Sequence, residues 1–266
     1  MCYSLGILVI GSLFWDEKDH RSKWRKKHLD MDNKIYVKVP IRYGRKSCLR
    51  NNTYTMVISN TCSSDKKIGK AIVVPCKKKI TSGQDVIEEA IALWNAERNG
   101  KPNPHNEVSS SWGTVGLLKN PSKDYPSEIF SDWKKFYKPN EFRNVKFLMC
   151  EKRPISNNGI LKISWPRQVS DNSPIDFDFI LATVTAPTLR KKILHKRYPN
   201  PEEIAQEWIN AHKNAHKEVD YYLNNLNYDI RTIHDKKILK ELLKDLSMKS
   251  YINNKINVDE ILSNKG

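Results

Sequence analysis

The sequence predicts an α+β fold. Six to eight short strands surround one strong helix, a pattern consistent with a mixed, partly closed β-barrel flanked by helices. Three observations carry that expectation. Apolar or alternating runs of strand length recur over the first 190 positions, bounded by Gly and Pro. One stretch, 82–98, has the period of an amphipathic helix behind a Ser/Asp start signal. From about Tyr198 the character changes to helical. The 266 residues then divide into an α+β core over 1–190 and a C-terminal helical extension over 191–266 packed on it.

Residues 5–10 form the first expected strand, because Leu8, Val9 and Ile10 favour a pleated, buried backbone. Gly11-Ser12-Leu13 stops it. Gly11 lets the chain turn or approach a ligand closely, and the amides after such a turn can converge on an anion. On these three residues alone a plain strand-ending turn is favoured. Residues 16–28 are densely charged around Trp24, with Arg21, Lys23, Arg25, Lys26 and Lys27. They read as a short exposed helix or loop: a solvated face, or a rim that selects an acidic ligand.

Alternation predicts a strand over 35–39, ended by Pro40, and β-branched and aromatic residues predict another over 53–58. Between them lie Arg45, Ser47 and Arg50. Their two guanidinium groups either grip a carboxylate or phosphate bidentately or pair with surface acids. A further buried strand is expected over 68–74. Ser82 and Asp85 are candidate helix caps, with Glu88 placed three after Asp85 as in a capping box. The helix runs to about Arg98, and Val86, Ile87, Ala90, Leu93, Trp94 and Glu97 share its broad apolar face. A carboxyl group on that face is desolvated and its pKa tends to rise, which suits it to taking and returning protons near neutrality. Placement alone favours a structural Glu paired with an Arg.

The segment 99–107, with Gly100, Pro102 and Pro104, is a turn-rich connection or a lid over a pocket. Strands are expected over 112–118, 145–150, 161–165 and 177–184. A core-packed helix lies within 121–139, carrying Phe130, Trp133, Phe136 and Tyr137. Beyond Tyr198, Pro201-Glu202-Glu203 opens a helix extending to about residue 225. A strand-like start at 229 leads to a second helix over 236–246, and the polar tail from Ser250 is expected to fray. His212 and His216, spaced i,i+4, read better as a solvated face than as a metal pair.

There are 46 Lys and Arg against 30 Asp and Glu, a formal charge of +16. Lysines scattered along the chain carry most of it. The charge is therefore weak support for nucleic acid, which stays a secondary alternative, but it draws anionic ligands. Cys2, Cys48, Cys62, Cys76 and Cys150 make neither a CxxC pair nor a zinc set. They read as thiols in a reducing cytoplasm. No apolar run approaches membrane-spanning length. There is no internal repeat, P-loop or dinucleotide fingerprint.

The strand running into Gly11-Ser12-Leu13, followed by Leu93 and Glu97 one turn apart on a helix, resembles the γ-glutamylcyclotransferase superfamily. Ile10 stands where that family has Tyr, and Trp94 where its usual motif has Asp. A less characterised branch is more similar, in Trp24-Arg25, in 45–50, in Glu89 through Glu97, in 112–118 and in 177–183. The resemblance covers most of 5–190. It implies that Gly11, Ser12 and Leu13 hold a substrate carboxylate through their amides, that Arg45, Ser47 and Arg50 face the pocket, and that Glu97 is the general acid/base. The implied reaction is attack of an α-amine on a γ-glutamyl amide, closing 5-oxoproline and releasing an amine, with no metal or organic cofactor. The alternative is a binding module for an anionic small molecule, nucleotide-like, or for a protein partner.

Overall fold

The computed structural model describes residues 2–62, 68–98, 107–125, 127–149, 151–191, 196–214 and 216–263. The first 62 residues contain β1 (Leu5–Val9), α1 (Ser12–Trp15), α2 (Asp19–His28), β2 (Ile35–Val39), β3 (Ile41–Ser47) and β4 (Thr53–Ile58). Then follow β5 (Gly69–Pro75), α3 (Gly83–Glu97), β6 (Ser109–Ser110), β7 (Gly113–Lys119), α4 (Ser127–Phe136), β8 (Arg167–Gln168) and β9 (Phe179–Thr185). A short hairpin, β10 (Arg190–Lys191) and β11 (Lys196–Arg197), precedes α5 (Pro201–Lys213), α6 (Val219–Asn227), α7 (Asp235–Leu242), α8 (Leu246–Asn253) and α9 (Val258–Ser263).

The apolar run of β1 places it mid-sheet. Every one of its residues is buried, as a strand covered on both faces requires. It pairs parallel with β9 (Gly6 with Ile180, Leu8 with Ala182) and antiparallel with β5 (Leu8 with Val73). The mixed sheet has seven strands in the order β6-β7-β9-β1-β5-β2-β8. It is open, not closed into a barrel, and β3 and β4 form a separate two-stranded sheet. Pro40 marks the departure, since it offers no amide hydrogen to continue the β2–β5 ladder. Ile41 then crosses the end of β5, its Cγ1 only 2.5 Å from where a Cβ on Gly69 would stand.

Helix α3 packs on β7 and β9, with α2 and α4 beside it; α5 packs on β4, α6 and α7. One continuous hydrophobic cluster runs from Leu5 through Trp94 and Phe179 to Trp208, Tyr222 and Ile252. The helices after residue 200 thus share the core of the sheet, and the division expected at 190/191 falls inside β10. No helix among the described residues is long and apolar enough to cross a membrane.

Several local expectations need correction. Ser82, not Asp85, is the N-cap of α3: its hydroxyl accepts from the Asp85 amide at 3.3 Å while the Asp85 carboxylate accepts from the Ser82 amide at 3.0 Å. The charged stretch 16–28 is a solvated face only on one side, where Lys23, Lys26 and Lys27 are exposed. Helix α2 turns Arg21, Trp24 and Arg25 inward, a buried stripe at helical spacing built largely from guanidinium groups. Residues 145–149 form no strand; the Val145 amide closes a turn on Phe142, and Cys150 lies outside the described residues. The stretch 161–165 makes only isolated bridges at its start, Ile160 with Leu117 and Leu161 with Ile155, and Pro166 follows directly. The proposed lid, 99–106, also lies outside the described residues.

The single helix expected over 201–225 is two, because α5 ends at Asn214 and α6 begins only at Val219. His216 therefore falls beyond α5, while His212 packs on the Tyr251 ring at 4.9 Å. The strand-like start at 229 amounts to one bridge, Arg231 with Lys70. Over its described residues, 250–263, the tail is largely helical rather than frayed. Asp245 caps α8 through the Met248 amide at 3.2 Å, and Met248 and Ile252 are fully buried.

The capping box gives a testable stability effect. Partial burial raises the Asp85 pKa, but the Lys78 ammonium, Thr81 and Ser82 outweigh it and hold the carboxyl well below its ordinary 3.8. A depressed pKa contributes stability above the unfolded value that is lost as pH falls through the folded one. Asp85→Asn is expected to cost about 1 kcal/mol at pH 7, read from the urea midpoint. The difference from the parent should shrink as the pH is lowered below 3.8.

Candidate active site

The site begins where β1 ends. Gly11 has φ +73°, a conformation that side-chain-bearing residues rarely adopt, and a Cβ there would overlap the Tyr221 hydroxyl. The chain then makes a single helical turn, closed by the Phe14 amide on the Gly11 carbonyl at 3.1 Å and by the Asp16 amide on Ser12 at 2.9 Å. Arg21, from the inward stripe of α2, fastens this turn. Its Nη1 donates to Ser12 Oγ at 2.7 Å and to Asp16 Oδ2 at 2.9 Å. Its Nη2 lies 3.6 Å from Glu97 Oε2.

Glu97 is the last residue of α3 and projects from the helix's apolar side, its side chain only 17% exposed. Burial is the largest influence on its carboxyl and raises the pKa above the ordinary 4.5. Arg21, Arg45, the Thr183 hydroxyl and Arg50 pull the other way without cancelling it. Its position at the negative end of the helix dipole works in the same direction as burial.

Strand β3 delivers the second group of cations. Its pairing with β4 shifts register between Tyr43 and Arg45, a bulge that re-aims the side chains following it. Arg45 lies over the Trp112 ring at 4.9 Å, and Trp112 stacks on Trp94 at 4.9 Å with 20° between planes. Trp94, fully buried, is thus the base of a column that holds the guanidinium rather than a member of the polar site. Burial lowers the Arg45 pKa, with Glu97 the main opposing influence, yet a guanidinium stays charged at any working pH. Arg50, the last residue of the 3₁₀ turn that follows β3, lies 4.6 Å over the Tyr221 ring and 4.0 Å from both Asp16 and Glu218.

These parts surround one cavity of about 480 Å³. Ser12, Leu13, Arg45, Ser47, Arg50 and Glu97 all line it; Gly11 does not, although its chain neighbours Ile10 and Ser12 do. The residues singled out from the sequence therefore meet in one place. Among the described residues five cations, Lys18, Arg21, Arg45, Arg50 and Arg98, line the cavity against two carboxylates, Glu97 and Glu218. The lining is therefore predominantly cationic, with the Glu97 carboxyl of raised pKa set among the guanidinium groups.

Tyr221 escaped the sequence, and Arg21 was expected only as one member of a charged rim. Arg21 sat within a charged run, and only the 21/24/25 spacing around Trp24 hinted that it turned inward. Tyr221 comes from α6, far along the chain, and nothing local marks it. The anion-binding amides expected at Gly11–Leu13 belong to the start of a four-residue helix, too short for its dipole to add much, so the positive charge of the lining comes mainly from the guanidinium groups. Comparisons with protein-family models, with curated proteins and with solved structures find no match to this chain.

Gly11→Ala is expected to destabilise the protein by about 2 kcal/mol, combining the left-handed backbone with the encroachment on Tyr221. Adding Tyr221→Phe should recover part of that loss by removing the obstructing oxygen. Denaturant unfolding of the two single variants and the double variant measures both effects.

Proposed function

We propose that the chain is a γ-glutamylcyclotransferase-like enzyme. The observation that carries the reading is the convergence of a largely buried carboxyl of raised pKa, Glu97, with Arg45 and Arg50 in one cavity beside the Gly11 turn. Arg45 and Arg50, helped by the Ser47 hydroxyl, grip the α-carboxylate of a γ-glutamyl amide. Glu97 removes a proton from the α-ammonium group. The freed amine attacks the γ-carbonyl carbon, so a ring C–N bond forms while the original amide C–N bond breaks. The two protons that the ammonium surrenders end on the departing amine, and Glu97 finishes in the state in which it began. Because nucleophile and electrophile belong to one molecule, positioning supplies much of the acceleration.

In this reading the β3–β4 hairpin, which packs on β5 and β9, stands in for the strands that would close a barrel. The reducing cytoplasm belongs to the same proposal: Cys2, Cys48 and Cys76 are free thiols. The excess of cations in the lining favours a second reading, a pocket that binds an anionic small molecule, nucleotide-like, without turnover. Stabilisation by nucleotides but by no γ-glutamyl amide, in a thermal-shift screen, separates it from the first.

Glu97→Gln is expected to lower 5-oxoproline formation by about 10³-fold or more while leaving the thermal transition in place. Since the base form of Glu97 starts the reaction, kcat/KM of the parent should rise with pH through a value above 4.5, and the variant's residual rate should lack that limb. An unchanged rate in the variant removes Glu97 from the mechanism.

A further inference from the structure

Tyr221 is 4% exposed and lines the cavity, with its hydroxyl placed between Gly11 and Met56. The Met56 amide donates to the phenol oxygen at 3.2 Å. The Asn225 side chain is engaged elsewhere, its Oδ1 accepting from Trp15 Nε1 at 2.8 Å and its NH₂ donating to Tyr43 at 3.3 Å. Among the described residues nothing accepts the phenol's own hydrogen. A buried hydroxyl that accepts from a backbone amide, lines a cavity and keeps its own hydrogen is free to donate to a guest there.

Resting on the proposed cyclisation, we infer that Tyr221 is a catalytic residue whose O–H donates to the γ-carbonyl oxygen of the substrate and strengthens that bond as the oxygen becomes negative. The C–O double bond opens when the amine attacks and re-forms when the leaving amine departs. The phenol keeps its proton throughout and is neither acid nor base. Its surroundings suit the role. Burial pushes its pKa above 10, against the opposing Met56 amide and Arg50, so it remains a donor at neutral pH. The Arg50 guanidinium over its ring fixes the ring plane and adds positive potential where charge develops.

Tyr221→Phe keeps the ring, the Arg50 stacking and the core contacts while deleting the donor. It is expected to lower kcat by about 10²- to 10³-fold with KM raised by no more than about tenfold. Full kcat in this variant overturns the assignment. Calorimetric binding of 5-oxoproline, whose ring carbonyl is the product of the same oxygen, is an independent arm. Roughly tenfold weaker binding to the variant than to the parent supports the donor role, and equal affinity overturns it even if no turnover is found. Loss of activity in Tyr221→Phe with activity retained in Glu97→Gln would leave Tyr221 standing and remove the general base. A parent that neither turns over γ-glutamyl amides nor binds 5-oxoproline overturns both. Should the phenylalanine variant lose its fold, 3-fluorotyrosine at 221, a more acidic phenol of similar size, substitutes for it: an altered kcat keeps the proposal and an unaltered one ends it.

Discussion

A carboxyl group held away from water at the wrong end of a helix is the constraint around which this molecule is arranged. Glu97 terminates α3 facing inward, where both burial and the helix dipole oppose its charge. Such a group persists only if cations stand near, and three guanidinium groups do, each from a different place in the chain. Arg21 arrives on α2, Arg45 on a bulged strand and Arg50 on the turn beyond it. None neutralises Glu97 outright: the nearest, Arg21, stays 3.6 Å away because Ser12 and Asp16 hold its other nitrogen. The arrangement leaves the carboxyl with a pKa above its ordinary value and the cavity with surplus positive charge, so it can both exchange a proton and attract an anion.

The same arrangement has a stability consequence. A carboxyl whose folded pKa is raised binds its proton more tightly in the native state than in the unfolded chain. Its contribution is complete below 4.5 and is lost as pH rises through the folded value. At neutral pH the ionised group therefore costs the fold stability, a common feature of sites where function and packing disagree. The surrounding hydrophobic cluster, which unites the sheet with the C-terminal helices, carries that cost.

Much of the frame was legible because it depends on local pattern. The buried run of β1, the alternating residues of β2, the β-branched residues of β4 and the apolar face of α3 each announce themselves within a few turns or pleats. The Gly11 bend was legible too, since few other residues tolerate that backbone. Pairing of distant segments was not. Residues 161–165 alternate like a strand but touch their neighbours only in isolated bridges at the start of the stretch. Residues 41–47 became a paired strand because Pro40 detached them from the main sheet. In α2 the periodic stripe was spelled in Arg, a residue ordinarily counted as surface, so its inward turn was hidden. Tyr221 could not be read at all: its importance arises solely from α6 lying across the Gly11 turn, a contact between opposite ends of the chain. Four of the expected site residues, Arg45, Ser47, Arg50 and Glu97, were singled out mainly by likeness to a known arrangement rather than by anything their neighbours dictate.

The most direct test of this account is a carboxyl titration of Glu97 itself. Carbon-13 NMR of the protein labelled at glutamate side-chain carboxyls, with the Glu97 resonance assigned by its disappearance in Glu97→Gln, reports the group independently of any substrate. A midpoint clearly above 4.5 is predicted. A midpoint at or below that value would mean that the guanidinium groups hold Glu97 as a permanent carboxylate in an ordinary ion-pair network, and the carboxyl would not be the poised proton carrier that the cavity is built around.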